Sequence, residues 1–282
     1  MIRRGFLDVA GGQVHYRECG EGGPRPLILL HPSPGSGLML APLLRAMGQS
    51  RRTIALDTRG NGDSAALPGT PEIADFAAAT WEVIDALGIE SCDLFGSHTG
   101  ASIALEAAIQ KPERTAHLII DNMGLWSPER QQAQIAHNSP AVKPDMMGSQ
   151  LNWAWHYCRD QFLFAPWYDR RADTRRDIDM PSPERLHEFV VEVLKALDTY
   201  HLSYSAVARY DKRNHLPMLA VPTLISSSPA DPLMRYVEEI AGLVSGSRIA
   251  IVEDPETEEG ASIAAAAYRQ FLDETPATEI AM

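Results

Sequence analysis

The chain is short of basic residues and of cysteine. Its 25 lysines and arginines stand against 37 aspartates and glutamates, a formal charge of −12 over 282 residues. So acidic a chain lacks the basic surface that holds nucleic-acid phosphates or an anionic membrane, and neither is expected as a partner. Its three cysteines, Cys19, Cys92 and Cys158, show no metal-ligand spacing and suggest a reducing compartment. No run of about 18 apolar residues occurs, so no transmembrane helix is expected. The start, Met1-Ile2-Arg3-Arg4-Gly5, lacks the apolar core of a secretory signal, which makes a cytoplasmic location the expectation. Internal repeats and long low-complexity segments are absent, and no histidine follows His215.

What is present is an alternation of strand and helix patterns. Phe6–Val9 and Gln13–Arg17 read as a hairpin across Gly11-Gly12. Leu27–Leu30, Arg52–Leu56 and Ala116–Ile120 are short, largely apolar runs of the kind that form buried parallel strands. Residues 71 to 88 carry Ile73, Phe76, Ala77, Trp81, Ile84 and Leu87 near helical spacing, closed by Gly88. Residues 125 to about 215 hold no strand-like run and four of the five tryptophans, which suggests an inserted helical cap. Strand patterns resume at Thr223–Ser227 and Arg248–Val252, and Ala261–Leu272 reads as the closing helix. The tail from Thr275 is expected to fray. The fold class implied is α/β: a mostly parallel sheet of about eight strands, covered by helices on both faces. The expected division is a core over 1–124, a helical cap over 125–216 and the rest of the core over 217–282.

The chain turns on Cys92-Asp93-Leu94-Phe95-Gly96-Ser97-His98-Thr99-Gly100-Ala101, where an apolar run ends in a small-residue turn and a helical stretch follows. Strand, sharp turn and helix are the context of a nucleophile elbow, G-x-S-x-G, with glycines at Gly96 and Gly100. The middle position is His98. Ser97 stands one place too early for the tip, and Ser102 falls inside the helix. The plainer alternative is that His98 only fills a turn.

Three stretches together resemble the α/β-hydrolase superfamily: the loop His31-Pro32-Ser33-Pro34-Gly35-Ser36-Gly37, the segment Asp57-Thr58-Arg59-Gly60-Asn61-Gly62-Asp63-Ser64, and the elbow at 96–100. Pro222-Thr223-Leu224-Ile225 leading to Asp231 is similar to the strand that ends in the family's acidic triad member. The resemblance implies the fold and a pocket at the strand ends. Two departures stand out. His98 replaces the elbow serine, and the loop Glu253-Asp254-Pro255-Glu256-Thr257-Glu258-Glu259-Gly260 has no histidine where the family keeps its base.

The departures are mutually consistent, because an imidazole with an ordinary pKa near 6.5 needs no second base before it acts. Asp231 and Asp121, each after a strand end, are the candidate orienting acids. Glu256 in place of the missing histidine is the less favoured alternative. In this fold the oxyanion is held by the N–H after the nucleophile, here Thr99, and one from the loop after the third strand. Pro32 and Pro34 have none to give, which leaves Ser33. His31, Trp153, His156, Arg159 and Trp167 are the candidate substrate-binding residues, with cap aromatics packing on one another as the plain alternative. No metal and no cofactor is expected. The reading is a hydrolase of an ester, lactone or related carbonyl compound with His98 as nucleophile or general base, acting on a small molecule as a monomer or homodimer. Its alternatives are a lyase or isomerase with His98 as general base, and an inactive binding protein of the same fold.

Overall fold

The computed structural model describes residues 1–138 and 140–274. The tail from Thr275, expected to fray, lies outside the described residues.

Eight strands form one sheet: β1 (Arg3–Val9), β2 (Gly12–Cys19), β3 (Leu27–Leu30), β4 (Thr53–Leu56), β5 (Cys92–Ser97), β6 (Thr115–Asp121), β7 (Thr223–Ser227) and β8 (Arg248–Ile251). Their order is β1-β2-β4-β3-β5-β6-β7-β8. Only the β1–β2 and β2–β4 pairs are antiparallel; from β4 onward the sheet is parallel. Among the described residues the α-helices are α1 (Ala41–Met47), α2 (Ile73–Ala86), α3 (Thr99–Gln110), α4 (Pro128–Ala133), α5 (Ser149–Asp160), α6 (Pro183–Lys195), α7 (Tyr200–Arg209), α8 (Lys212–His215), α9 (Val237–Leu243) and α10 (Glu258–Leu272).

Strand periodicity sorts the core into two layers. Leu27, Leu29, Ala55, Phe95, Ile119 and Leu224 pack toward α1 and α10. Ile28, Leu30, Ile54, Leu94, Leu118, Ile120 and Ile225 pack toward α2, α3 and α9. This is the fold class the sequence implies. The stretch between β6 and β7 carries α4 to α8 and no strand among the described residues, only an isolated bridge between Phe164 and Arg175. No helix of the described residues is long and apolar enough to cross a membrane.

Register is what makes a site. Ser97 lies opposite Asp121, and Asp121 opposite Ser226, so β5, β6 and β7 end at one level. Loops leaving parallel strands at their C-terminal ends converge there. The closing helix starts at Glu258, earlier than the apolar pattern indicates, because the Thr257 side chain caps it by accepting from Gly260 N at 3.0 Å.

Candidate functional site

The tip of the β5–α3 turn is His98, at φ 53° and ψ −106°. A non-glycine residue there is strained, and strain of this kind persists only where the surroundings impose it. The two flanking glycines are the imposing elements. A Cβ on Gly96 would stand 2.1 Å from the Gly100 carbonyl oxygen, and one on Gly100 2.1 Å from that of Leu30. Strand and helix are therefore in contact, and the residue between them is pushed out. The other registers fail on burial: Ser97 is 1% and Ser102 0% exposed, whereas the His98 side chain is 32% exposed.

His98 meets an acid at once. Its Nε2 lies 3.1 Å from Asp231 Oδ2. Asp231 comes from the loop after β7, and Leu233 N fixes its other oxygen at 2.7 Å. On the other side of the ring, Nδ1 lies 3.0 Å from Ser97 Oγ, and the Ser97 hydroxyl donates to Asp121 Oδ2 at 2.9 Å. A hydroxyl has one proton to give. Since Asp121 takes it, Nδ1–H donates to Ser97 Oγ, and Nε2–H donates to Asp231. The ring is then an imidazolium. Burial alone would lower its pKa, but the charge and hydrogen bond of Asp231, followed by Glu256 and Asp121, raise it to about 9. The ordinary pKa near 6.5 expected of this imidazole is shifted upward by its surroundings. The reason is tertiary: the acid that could orient a base stands close enough to hold its proton.

The two candidate acids have different places. Asp231 touches the ring and lines the cavity. Asp121 is fully buried beneath it, its carboxylate is hydrogen-bonded to Ser97 rather than to the ring, and it is further held by Asn122 Nδ2 at 3.0 Å. Burial raises its pKa to about 6, against the pull of His98 and Ser97.

A cavity of about 500 Å³ opens over His98. Ser33 and Thr99 line it, and neither backbone N–H has a protein acceptor among the described residues. Thr99 is the first residue of α3, where an N–H has no intrahelical partner. Glu256 also reaches the cavity wall, with its side chain 20% exposed. Burial and the neighbouring Asp254 raise its carboxyl to about 8, against His98 and Arg185. Glu258 and Glu259, by contrast, are exposed in the first turn of α10.

The five candidate substrate-binding residues stand away from the cavity lining. His31 is fully buried, with Nδ1 2.6 Å from Pro32 O while Nε2 accepts from Thr58 N at 3.0 Å, so it fastens two loops together. Trp153 stacks on Tyr157 at 5.1 Å and meets Trp167 edge-on at 6.1 Å. Trp167 also donates its indole N–H to Asn138 Oδ1. His156 and Arg159 turn to the buried Asp160, at 3.7 and 2.6 Å. None of these five lines the cavity; Tyr157, Gln161, Phe162, Arg176, Tyr204 and Lys212 do. Residues 153 and 157 share a helix face, so spacing could not tell which of them meets the cavity. Lys212 carries no signal in the sequence, because only the tertiary fold buries it.

Comparison with known proteins agrees with this architecture. Residues 25–254 match the α/β-hydrolase fold family. A putative carbamate hydrolase from Variovorax paradoxus is 27% identical over 226 residues, 79% of this chain and 80% of that protein. A proline iminopeptidase from Heyndrickxia coagulans is 29% identical over 137 residues, and the match spans only 48% of each protein. The enol-lactonase of Burkholderia xenovorans LB400 superposes with a TM-score of 0.74 at 20% identity, covering 96% of this chain and all of that one.

Proposed function

Because this chain belongs to the α/β-hydrolase fold family, we propose that it is a hydrolase of an ester, lactone or related carbonyl compound, with the elbow His98 as its general base. One observation carries the reading. Asp231, placed to orient a base, bonds an imidazole that already stands at the nucleophile's position, 3.1 Å away. Base and elbow have become one residue, and the histidine missing from the last loop is not needed.

The step follows from the atoms present. With the proton of Nε2 lost, the ring no longer donates to Asp231, and a water entering from the cavity to reach Nε2 gives its proton to the ring. Its oxygen bonds to the substrate carbonyl carbon. The carbonyl electrons move to oxygen, which rests against the N–H groups of Ser33 and Thr99. Collapse breaks the bond to the leaving oxygen, and the ring returns the proton there. A base is favoured over a direct nucleophile for a physical reason. An acyl-imidazole would leave only carboxylates beside the acylated ring as bases for the second half of the reaction, and they are weak near neutral pH.

Both nitrogens being protonated at neutral pH favours a second reading. A cationic His98 and a neutral Glu256 place two proton donors on one cavity, which suits a lyase or isomerase that stabilises an enolate. The two readings predict opposite pH profiles. The test is turnover of a panel of esters, lactones and β-hydroxy carbonyl compounds by wild type and His98→Ala. For hydrolysis, kcat/KM rises toward pH 9 and is lost in the variant. A profile falling through pH 8–9 supports proton donation, and equal absence of turnover in both proteins supports a binding protein.

A further inference from the structure

Lys212 is the first residue of α8 and is 6% exposed, yet it lines the cavity. Its Nζ donates to Val207 O at 2.8 Å and lies 5.0 Å from the centre of the Trp126 ring. Val207 O belongs to the last turns of α7, where the helix dipole attracts a cation. An ammonium has three donors. Among the described residues one of them is used, toward Val207 O, and no carboxylate forms an ion pair with it.

The other cations of the cavity are committed. Arg176 donates to Gln161 O at 2.7 Å and Ala230 O at 2.8 Å. Arg185 reaches Glu188 at 3.4 Å and Glu256 at 3.9 Å. Lys212 differs in standing apart from the acidic group around His98. The carboxylate that weighs on its charge is the adjacent Asp211, and burial, which outweighs it, lowers the amine to about 7. Trp126 and Tyr204 stack beside it at 6.5 Å, so the wall around the amine is aromatic.

From this placement we propose that Lys212 is a specificity residue that receives a carboxylate on the substrate, so that the preferred substrates are acyl compounds carrying a second, anionic group, such as half-esters of dicarboxylic acids or carboxylated lactones. The proposal rests on the hydrolase reading for the word substrate and on the cavity alone for the binding. An arriving carboxylate supplies the acceptor that the protein withholds. It also restores the proton that burial disfavours, in a site where water screens the pair little.

The test separates binding from turnover. Phenylacetate and its neutral isostere phenylacetamide are titrated into the full chain by calorimetry, with Trp126 fluorescence as a second signal. Wild type binds the carboxylate about 10- to 100-fold more tightly than the amide, the range of one charge-assisted hydrogen bond in a shielded site. Lys212→Met binds the two alike, Lys212→Arg keeps much of the preference, and His98→Ala, which removes the cationic ring, keeps a preference that Lys212→Met loses. Equal binding of the two probes by wild type overturns the proposal, whatever the variants do. So does a preference that survives in Lys212→Met, which would leave Lys212 a packing role on α7. Trapping of Lys212 by an aldehyde and borohydride, without a carboxylate preference, would assign the amine to covalent chemistry and likewise overturn the anchor. A preserved preference in a protein that hydrolyses nothing rejects the activity and keeps the anchor.

Discussion

His15 bonds Asp57 at 2.9 Å, and His98 bonds Asp231 at 3.1 Å. The chemistry of the two pairs is the same, and their surroundings are not. In the first pair the side chains are 2% and 0% exposed. Asp57 also accepts from Arg17 Nη1 at 2.7 Å, Gly37 N at 2.8 Å and Asp63 N at 3.1 Å. Both carboxylate oxygens are therefore fully partnered. Asp57 thus ties the turn at 57–63 and the loop at 31–37 to β2. In the second pair the side chains are 32% and 17% exposed, on a strained backbone, facing a cavity. One pair is closed and holds the fold; the other is open on one side and available to a ligand.

The pairs also respond to pH in opposite directions. Burial raises Asp57, but the hydrogen bond of His15 and the charge of Arg17 bring it down to about 2 from 3.8. Its stabilisation is present above pH 3.8 and is lost as pH falls through 2. His98, raised from 6.5 to about 9, gives stability that is complete below pH 6.5 and is lost as pH rises through 9.

The largest expected effect breaks the open pair. In an ordinary member of this fold, serine at the elbow is the active residue, yet His98→Ser is expected to lower kcat by about 100- to 10,000-fold, the worth of general-base help. The loop at 253–260 offers no imidazole to activate the hydroxyl. Binding survives, since Ser33 and Thr99 stay in place. The measurement is kcat and KM on whichever substrate wild type accepts, and a fast His98→Ser enzyme would locate the base elsewhere.

Next in size is the closed pair. Asp57→Ala leaves Arg17, His15 and two N–H groups buried without their acceptor. Removing one partner of such a network costs about 3–5 kcal/mol. Urea denaturation should show a loss of that order, whereas Asp231→Ala, at a partly exposed pair, should cost at most about 1 kcal/mol at pH 7. Equal losses would erase the distinction between the pairs.

A smaller effect sharpens it. Asp231→Asn removes the main attraction holding the His98 proton, and burial then pulls the ring pKa down. The midpoint of the kcat/KM profile should fall by about one to two units. The loss of stability between pH 6.5 and 9 should flatten in the same variant. A midpoint unmoved by the substitution would mean that the profile reports another group.

These contrasts also mark what the sequence can disclose. Gly96, Gly100 and the apolar run before them make the elbow legible, because a tight strand-to-helix turn leaves few residue choices. Asp231 is legible from its place after β7. Protonation is not: a histidine's charge depends on which acid the fold brings to it from 133 positions away. The same holds for Lys212, whose burial comes from α7 and Trp126 rather than from its neighbours in the chain. The aromatics of α5 illustrate the third limit. Periodicity groups Trp153 with Tyr157, but only the packing of the other helices decides which of them faces the ligand.

The smallest effect concerns the backbone of the open pair. His98 sits at φ 53° and ψ −106°, a conformation costly for any residue with a Cβ. Such strain is worth about 1–3 kcal/mol. Replacing His98 by alanine or by glycine removes the ring and the ion pair equally, so the difference between the two variants isolates the backbone. Elsewhere glycine is the worse choice. At the exposed Ala266 in α10, Ala266→Gly should cost about 1 kcal/mol through the freedom glycine gains in the unfolded chain. At the elbow the strain relieved exceeds that cost, so His98→Gly should be more stable than His98→Ala by about 1 kcal/mol. The midpoints of urea denaturation, taken at pH 7 for all three variants, measure both differences. A glycine variant less stable than alanine at position 98 would show an unstrained turn. The elbow would then hold His98 by its bonds to Asp231 and Ser97 alone, and the contrast with the relaxed, closed pair at Asp57 would be one of exposure only.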